Sequence, residues 1–362
     1  MLQVTRKNDL KEIGPSIVNS EAEGAHTSIF LPIVEGDSES TLRERLNYCL
    51  AQAANLLSIS MTKREIQAYL KPFQENFDPD DVEGGVRGFA FFKSRSVFFH
   101  SFLRVPPPEL VVVASSFHIK PLMYCASSTT VCYALTVSSR KVKLFRIIGS
   151  EIVHLRSYKN DFHQGEGKDE ARYNGKPRKA KDINELFIRD TVKRIMKEYN
   201  VRVMDLAVLG VLGLRRRLIA ELSAKAKVNI FYESTMFTSM ESMGVSLEAN
   251  MKDSLEKKSQ NFAKNLMETA DEGLLAKSLD RIAEAAVQGR IECLVIDPTV
   301  HIWGLFDREN GLVRTYSSQS SDKDGCVVDD IAEEVIKRGG EVVFFNSSLI
   351  ENVAPYLATL RW

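Results

Sequence analysis

The chain has 362 residues, which at the usual domain size corresponds to two or three domains. Hydrophobic residues make up 44% of it, enough to build sizeable cores, and this excludes a wholly disordered chain. Lys and Arg together number 48, as do Asp and Glu, so no overall basic charge marks a general nucleic-acid binder. Any contact with RNA must therefore come from a local patch.

The first third of the chain, residues 1–128, predicts a small α+β domain. Thr62 and Glu65 form a capping-box pattern in front of an apolar stripe with helical spacing. We expect a small sheet packed against two helices. The expected elements are a strand at 27–33, helices at 41–57 and from Thr62 onward, a hairpin at 89–102 and a strand at 110–114.

The middle region, residues 129–243, predicts three short strands followed by a polar loop and then a helix, a strand, a helix and a strand. That order is typical of a ribonuclease-H-like α/β unit. The strand at 206–209 is continuously apolar, as expected of a strand buried on both faces. The expected elements are strands at 131–137, 142–147, 151–156, 206–209 and 228–231, and helices at 182–199 and 214–224.

The last region, residues 244–362, predicts an α/β/α sandwich. A long charged helix is expected over 246–286, and a second helix at 329–338 is ended by Gly339 and Gly340. Asp329 and Asp330 open that second helix, where the helix dipole favours negative charge, so we interpret them as capping residues. The expected strands are 293–296, 302–306, 313–316, 342–345 and 357–360.

The polar stretch 159–181 (KNDFHQGEGKDEARYNGKPRKAK) is rich in Gly, Lys and Arg and nearly without apolar side chains. Compact domains rarely keep so long a structureless connection unless it is functional or disordered. It suits contact with phosphate-rich RNA, and a solvated insertion fits equally well. The candidate phosphate-binding residues of this loop are Lys168, Arg172, Lys176, Arg178, Lys179 and Lys181.

A second basic feature is the run Arg215, Arg216 and Arg217, near the start of the helix that follows the central strand. Arg at the carboxyl end of a strand is well placed for phosphate or the RNA backbone. A solvated helix face explains the same run equally well.

Catalytic and metal-binding motifs are missing from the sequence. It has no GxxxxGK[ST], HExxH, GxSxG or paired CxxC pattern, its six His are scattered singly, and its five Cys suggest neither a disulfide framework nor a zinc ribbon. The predicted strands of the middle region offer too few carboxylates for a two-metal nuclease. We therefore predict no cofactor and no metal.

Two longer stretches resemble a known family. GFAFFKSRSVFFHSFLRVPPPELVVVASSFHIKPLMY with YALTVSSRKVKLFRIIGSEI is similar to the bacterial proteins related to the archaeal and eukaryotic peptide-chain release factors and Pelota, and points to their family 3. GRIECLVID, DDIAEEVIKRGGEVVFFN and the ending LATLRW resemble the third domain of these proteins. The resemblance implies three domains, with a ribonuclease-H-like middle domain and a C-terminal domain of the RNA-binding ribosomal-protein type.

Release factors of this kind carry a Gly-Gly-Gln loop that hydrolyses peptidyl-tRNA. The same interval here reads His163-Gln164-Gly165-Glu166-Gly167, so Gln164 is the single weak catalytic candidate and an enzyme is not favoured. The resemblance implies a ribosome-associated role in rescue, stalling or hibernation, with the ribosome, tRNA or rRNA as partners. A hydrolase or nuclease and a protein-interaction scaffold with a protein partner remain alternatives.

The expected location is the cytoplasm. The start of the chain lacks the apolar segment of a secretory signal, and no apolar run of membrane-spanning length occurs, so we do not expect a membrane as a partner. We do not expect DNA as a partner either.

Overall fold

The computed structural model describes residues 4–5, 24–79, 86–128, 131–148, 151–161, 172–173, 176–177, 180–199, 203–234, 240–269, 272–350 and 353–362. Contacts divide the chain into two compact units. The middle unit is built from residues 130–254, and the composite unit joins 2–129 to 255–362. The further division of the composite unit into separate N- and C-terminal domains stays a prediction.

The N-terminal part of the composite unit contains a four-stranded antiparallel sheet in the order β4-β3-β2-β5. Two helices cover one face of it, as the apolar stripes predicted. Its elements are β1 (Val4–Thr5), β2 (His26–Pro32), α1 (Glu39–Leu57), α2 (Lys63–Glu75), β3 (Gly88–Lys93), β4 (Phe98–Leu103), β5 (Leu110–Ala114) and α3 (Lys120–Ser128).

The capping box predicted at Thr62 and Glu65 is confirmed. The Thr62 N–H donates to Glu65 Oε2 at 2.8 Å, and the Glu65 N–H donates to Thr62 Oγ1 at 3.4 Å. These two bonds satisfy backbone donors at the start of α2 that have no partner inside the helix. The helix then buries Ile66, Leu70 and Phe73 against the sheet.

The middle unit contains a five-stranded sheet in the order β12-β11-β6-β7-β8. Strands β6, β7 and β8 form an antiparallel meander, and β11 and β12 run parallel to β6. Its elements are β6 (Val131–Val137), β7 (Lys141–Ile148), β8 (Glu151–Lys159), β9 (Arg172–Tyr173), β10 (Lys176–Pro177), α4 (Ala180–Tyr199), β11 (Val203–Gly210), α5 (Leu212–Ser223), β12 (Lys227–Ser234) and α6 (Met240–Thr269), which continues into the composite unit.

The interval 159–181 differs from the predicted structureless loop in one respect. β8 extends to Lys159, α4 begins at Ala180, and between them β9 and β10 pair antiparallel, with Lys176 opposite Tyr173. Periodicity could not reveal this pair, because two-residue strands are too short to show an alternating pattern.

The C-terminal part holds a sheet in the order β1-β18-β14-β19-β13 and a smaller one in the order β16-β15-β17. In the larger sheet β14 and β18 are parallel, and β19 runs antiparallel to β14. The elements are β13 (Leu275–Ala276), α7 (Leu279–Val287), β14 (Ile291–Ile296), β15 (Trp303–Phe306), β16 (Val313–Tyr316), β17 (Gly325–Cys326), α8 (Val327–Lys337), β18 (Glu341–Phe344) and β19 (Tyr356–Leu360).

The predicted single helix over 246–286 is wrong. Helix α6 ends at Thr269, β13 follows, and α7 begins only at Leu279. The Ser278 hydroxyl accepts the Arg281 N–H at 3.4 Å, which is the N-cap of a new helix. Leu275 and Ala276, which lie inside the predicted helix, pair instead with Thr359 and Ala358 of β19.

One hydrophobic core joins the two ends of the chain in the composite unit. Phe30, Phe92 and Met123 from the N-terminal part share it with Ile331 and Phe344 from the C-terminal part. Mixed helices and sheets throughout confirm the predicted α/β fold class. All five cysteines are buried and free, in agreement with the absence of a predicted disulfide framework.

Asp329 and Asp330 lie in the first turn of α8, as predicted, but their carboxylates bond to the N-terminal part of the chain. Asp329 accepts the Ile119 N–H at 3.0 and 3.1 Å and also the Lys120 N–H. Asp330 accepts the Ser116 hydroxyl at 2.8 Å. Interpreting both residues as simple caps of their own helix was therefore incomplete, because α8 has no side-chain N-cap bond.

Candidate nucleic-acid interface

Four strand ends of the middle unit meet at one edge of its sheet. Val137, the last residue of β6, pairs with Gly210 at the end of β11 and with Val142 near the start of β7. Lys141 in turn pairs with Lys159 at the end of β8. The carboxyl ends of β6, β8 and β11 therefore lie at the same edge, where ligands of α/β sheets commonly bind.

Exposed cations collect at this edge. Arg140 and Lys141 occupy the turn between β6 and β7, Lys159 ends β8, and Arg216 lies near the start of α5. All four side chains are exposed. We call these four residues the basic sheet edge. β11 and β8 are three strand spacings apart, so the edge extends over roughly 14 Å.

Asn160 fixes the chain where it leaves this edge. It is 5% exposed, its N–H donates to the Arg140 carbonyl at 2.8 Å, and its Nδ2 donates to the Ser139 carbonyl at 2.7 Å. The interval between β8 and α4 therefore departs directly beside Arg140 and Lys141. This anchoring role of Asn160 could not be predicted from the sequence, since a single Asn after a strand is also common in ordinary turns.

The second attachment of this region involves Tyr158, one residue from the end of β8. Its hydroxyl donates to Glu198 Oε2 of α4 at 2.9 Å. Burial and the adjacent Glu198 carboxylate raise the pKa of Tyr158, so the phenol stays protonated and remains a donor. This bond joins the end of β8 to the C-terminal part of α4, the helix that follows the interval.

The backbone at Gly210 allows α5 to begin directly at this edge. Gly210 has φ of +137°, and a Cβ there would lie 2.1 Å from the Val137 carbonyl oxygen. No residue with a side chain fits that approach without moving the neighbouring strand. The turn places the N-terminus of α5, with the positive end of its dipole, beside β6.

The predicted Arg run divides into three different environments. Arg215 is only 12% exposed, and its Nε lies 2.9 Å from Glu233 Oε2 of β12. Arg216 is exposed, and Arg217 is partly buried. Of the three, the structure brings Arg216 to the surface of the basic sheet edge, while Arg215 is engaged with a carboxylate.

The loop candidates can be placed only in part. Gln164, Lys168, Arg178 and Lys179 lie outside the described residues. The backbones of Arg172 and Lys176 belong to the β9–β10 pair, and Lys181 lies in the first turn of α4. Sequence reasoning missed Arg140 and Lys141, which only the pairing of β7 with β8 brings next to this interval.

In the middle unit, none of its described His, Cys, Asp and Glu side chains forms a group that could hold a metal ion. Within the described parts of the chain, none of the helices combines the length and apolar character that a membrane span needs.

The chain matches no protein-family profile and no curated protein sequence. Several solved structures align along nearly its whole length. Ribosome-bound archaeal Pelota, from a structure with ABCE1, is 14% identical over 98% of this chain and 94% of that one, with a TM-score of 0.40. Dom34 of S. cerevisiae, a translation termination-like factor, is 10% identical over 100% and 94%, also with a TM-score of 0.40.

The archaeal translation termination factor aRF1 is 12% identical over 99% of this chain and 98% of that one, with a TM-score of 0.24. Of these structural neighbours, one is a translation termination factor, one a termination-like factor and one a ribosome-bound protein.

Proposed function

We propose that this chain is a ribosome-associated, release-factor-like protein that binds the RNA backbone through the basic sheet edge and the adjoining interval 159–181. Its work is ribosome rescue, stalling or hibernation in the cytoplasm, by occupancy of a site rather than by hydrolysis. Gln164 is left without the Gly-Gly pair that precedes the Gln of the hydrolytic loop.

The observation that supports the proposal is the convergence of exposed cations at one sheet edge. Arg140 with Lys141, Lys159 and Arg216 come from three separate places in the sequence, yet the pairing of β6, β7, β8 and β11 brings the turn, the end of β8 and the start of α5 to one edge. The interval that leaves this edge carries six further Lys and Arg between Lys168 and Lys181. In a chain with no net charge, such a concentration is the electrostatic footprint of a phosphate-rich partner.

The order of strands in the middle unit fits the proposal as well. A meander of three antiparallel strands followed by two parallel strands is the order expected of a ribonuclease-H-like domain. We propose this topology for residues 129–243, with an α+β domain at 1–128 before it and a domain of the RNA-binding ribosomal-protein type at 244–362 after it. The neighbouring Pelota structure is ribosome-bound, which is the association proposed here.

The test is co-sedimentation of the full chain with ribosomes over a range of salt concentrations. Replacing Arg140, Lys141, Lys159 and Arg216 by Gln removes four cations from one edge. Each lost phosphate contact reduces the slope of log K against log salt by about 0.7, so the slope should become shallower by about 3. A second variant, with Lys176, Arg178, Lys179 and Lys181 replaced by Gln, tests the interval.

The matched control replaces four exposed cations of the composite unit, Lys63, Arg64, Lys277 and Arg314, by Gln. It makes the same change in net charge, so it separates a local interface from general attraction. Equal slopes for all three variants would contradict the proposed interface. Wild-type protein that never sediments with ribosomes would contradict the proposed function itself.

The hydrolase alternative is tested separately, by release of peptide from peptidyl-tRNA on the ribosome. Under the present proposal, wild type and Gln164→Ala both leave the ester intact. Release by the wild type that is lost in Gln164→Ala would show that the chain is an enzyme.

A further inference from the structure

A group of nitrogen and sulfur donors lies within the composite unit, away from the basic sheet edge. His118, His301 and Cys326 each offer one possible ligand atom, and these atoms lie within 4.8 Å of one another. His118 and Cys326 are each 2% exposed. Imidazole nitrogen and thiolate sulfur are the donors that zinc prefers in proteins.

The imidazole nitrogens of this group lack ordinary partners. Neither Nδ1 nor Nε2 of His118 has a hydrogen bond, although both atoms are buried, and Nε2 of His301 is in the same condition. Buried polar atoms are normally paired, so these nitrogens require an explanation. A bound cation takes one nitrogen from each ring, so it would satisfy one nitrogen of His118 and one of His301.

The three side chains come from well-packed parts of the fold. His118 lies between β5 and α3, where its backbone N–H donates to the Ser28 hydroxyl at 2.9 Å. Cys326 ends β17 and pairs with Trp303 of β15, and the ring of Trp303 lies 4.0 Å from that of His301. The donors are therefore held by backbone that is already fixed, as a preorganised site requires.

Asp329 supplies the surroundings that a metal-binding His usually has. Its Oδ1 lies 3.5 Å from Nδ1 of His118. A carboxylate in that position favours the proton on Nδ1 and leaves the lone pair on Nε2 for a metal. Asp329 is itself fixed by the N–H groups of Ile119 and Lys120.

The separation of the donors is close to what zinc needs. Bonds of 2.0–2.1 Å to nitrogen and 2.3 Å to sulfur in a tetrahedron place the donor atoms about 3.4 to 3.6 Å apart. Closing from 4.8 Å requires movements of about 1 Å, which small side-chain rotations supply.

We propose that His118, His301 and Cys326 bind one Zn²⁺ ion, with Asp329 orienting His118 and water in the fourth position. On binding, the Cys326 thiol gives its proton to solvent and binds as thiolate. The ion joins His118, from the N-terminal part of the composite unit, to two residues from the C-terminal part. This site is independent of the proposed ribosome association.

Lys120 opposes the ion and offers a sharp test. It is 2% exposed, and its Nζ donates to the carbonyl of Val300, the residue before His301. An ammonium group so close repels a divalent cation. Lys120→Met replaces the charged side chain by an apolar one of similar length and so removes that repulsion. It should therefore raise metal affinity by at least about tenfold.

The first experiment measures metal in untagged full-length protein purified without chelator. About one zinc per chain is expected, and stripping it should lower the melting temperature, which added Zn²⁺ then restores. Zinc-free protein that neither takes up Zn²⁺ nor gains thermal stability from it would overturn the proposal.

The second experiment titrates stripped protein with Co²⁺ and follows the thiolate-to-cobalt charge-transfer absorption. Cys326→Ser should abolish this band, and His301→Gln should weaken binding by more than the roughly tenfold to hundredfold typical of residues that only orient a ligand. Cys293→Ser and His26→Gln, which replace buried residues outside the group, should bind like the wild type. If Cys326→Ser and Cys293→Ser give the same spectrum, Cys326 is not a ligand.

Lys120→Met is expected to bind Co²⁺ more tightly than the wild type. Because misfolding would weaken Co²⁺ binding, an increase in affinity cannot be explained by a failure to fold. Circular dichroism of each variant verifies its folding before titration. Unchanged or weaker Co²⁺ binding by folded Lys120→Met would contradict the placement of the ion between His118, His301 and Cys326.

Discussion

Asp329 and Asp330 are neighbours in sequence, but their pKa values are shifted in opposite directions. Burial alone would raise the pKa of Asp329, but His118 and the backbone N–H of Ile119 hold it below its ordinary value. Burial raises the pKa of Asp330 to about 6, against the opposing charge of Arg308. Asp329 therefore accepts its hydrogen bonds as a carboxylate, while Asp330 retains a proton in mildly acidic solution.

This difference predicts a pH dependence of stability that originates at Asp330. Its pKa is higher in the folded chain than in the unfolded one, so between about pH 4 and pH 6 the folded chain binds more protons. The free energy of unfolding should therefore fall as pH rises through this window. Asp330→Asn, which cannot titrate, should show a flatter profile in urea denaturation at successive pH values.

The control for Asp330 is Asp280→Asn, an exposed acid in the first turn of α7. It should retain the wild-type slope between pH 4 and pH 6. Parallel profiles for wild type and Asp330→Asn would show that the pH dependence arises elsewhere.

At the scale of elements, the base of the interval after β8 depends on one residue, through its backbone N–H and its side chain. Asn160 makes two hydrogen bonds to the β6–β7 turn, and each contributes about 1 kcal/mol. In Asn160→Ala the Nδ2 bond to Ser139 is lost. We expect faster amide exchange at the turn around Arg140 and at the end of β8, with little change in global stability.

Hydrogen exchange followed by mass spectrometry of peptides covering 138–148 and 151–160 measures this effect. Gln74→Ala provides the comparison, since it removes an exposed side-chain bond to Asn47 in the composite unit and should leave these peptides unchanged. Identical exchange in wild type and Asn160→Ala would show that the turn is held by its backbone bonds alone.

Local patterns predicted many elements well. A short apolar-rich run gave β6 with its observed bounds, and the capping box gave the start of α2, because both signals depend on neighbours in sequence. The helix over 246–286 failed because its apolar spacing continued through Leu275, which lies in a strand instead. Tertiary pairing with β19 decides that segment, and no local pattern contains it.

The residues of the two proposed sites also divide into those that a local pattern reveals and those that only the fold brings together. Arg216 could be selected from the sequence, since a basic run after a buried strand is visible locally. Arg140 and Lys141 could not, because only strand pairing brings them beside Lys159. His118, His301 and Cys326 are singly scattered, so each was interpreted as an ordinary structural residue until the fold brought them together.

At the scale of the whole molecule, the division into two compact units with cores of their own predicts two unfolding transitions. Leu144 is fully buried in the core of the middle unit, and Ile331 is 1% exposed in the core of the composite unit. Replacing either by Ala should cost about 2–5 kcal/mol and lower only the transition of its own unit. Differential scanning calorimetry of the two variants measures this.

Ser139→Ala and Asp280→Ala, at exposed positions of the two units, serve as surface controls and should shift neither transition appreciably. A single transition lowered equally by Leu144→Ala and Ile331→Ala would contradict independent cores.

The core shared by the two ends of the chain has a consequence for synthesis. Phe30 and Phe92 cannot complete their packing until Ile331 and Phe344 have been synthesised, more than two hundred residues later. At about 5–20 residues per second this delay lasts roughly 10–40 s. The N-terminal sheet must therefore remain soluble while the whole middle unit is translated, and a folding chaperone would find its exposed apolar face during that time.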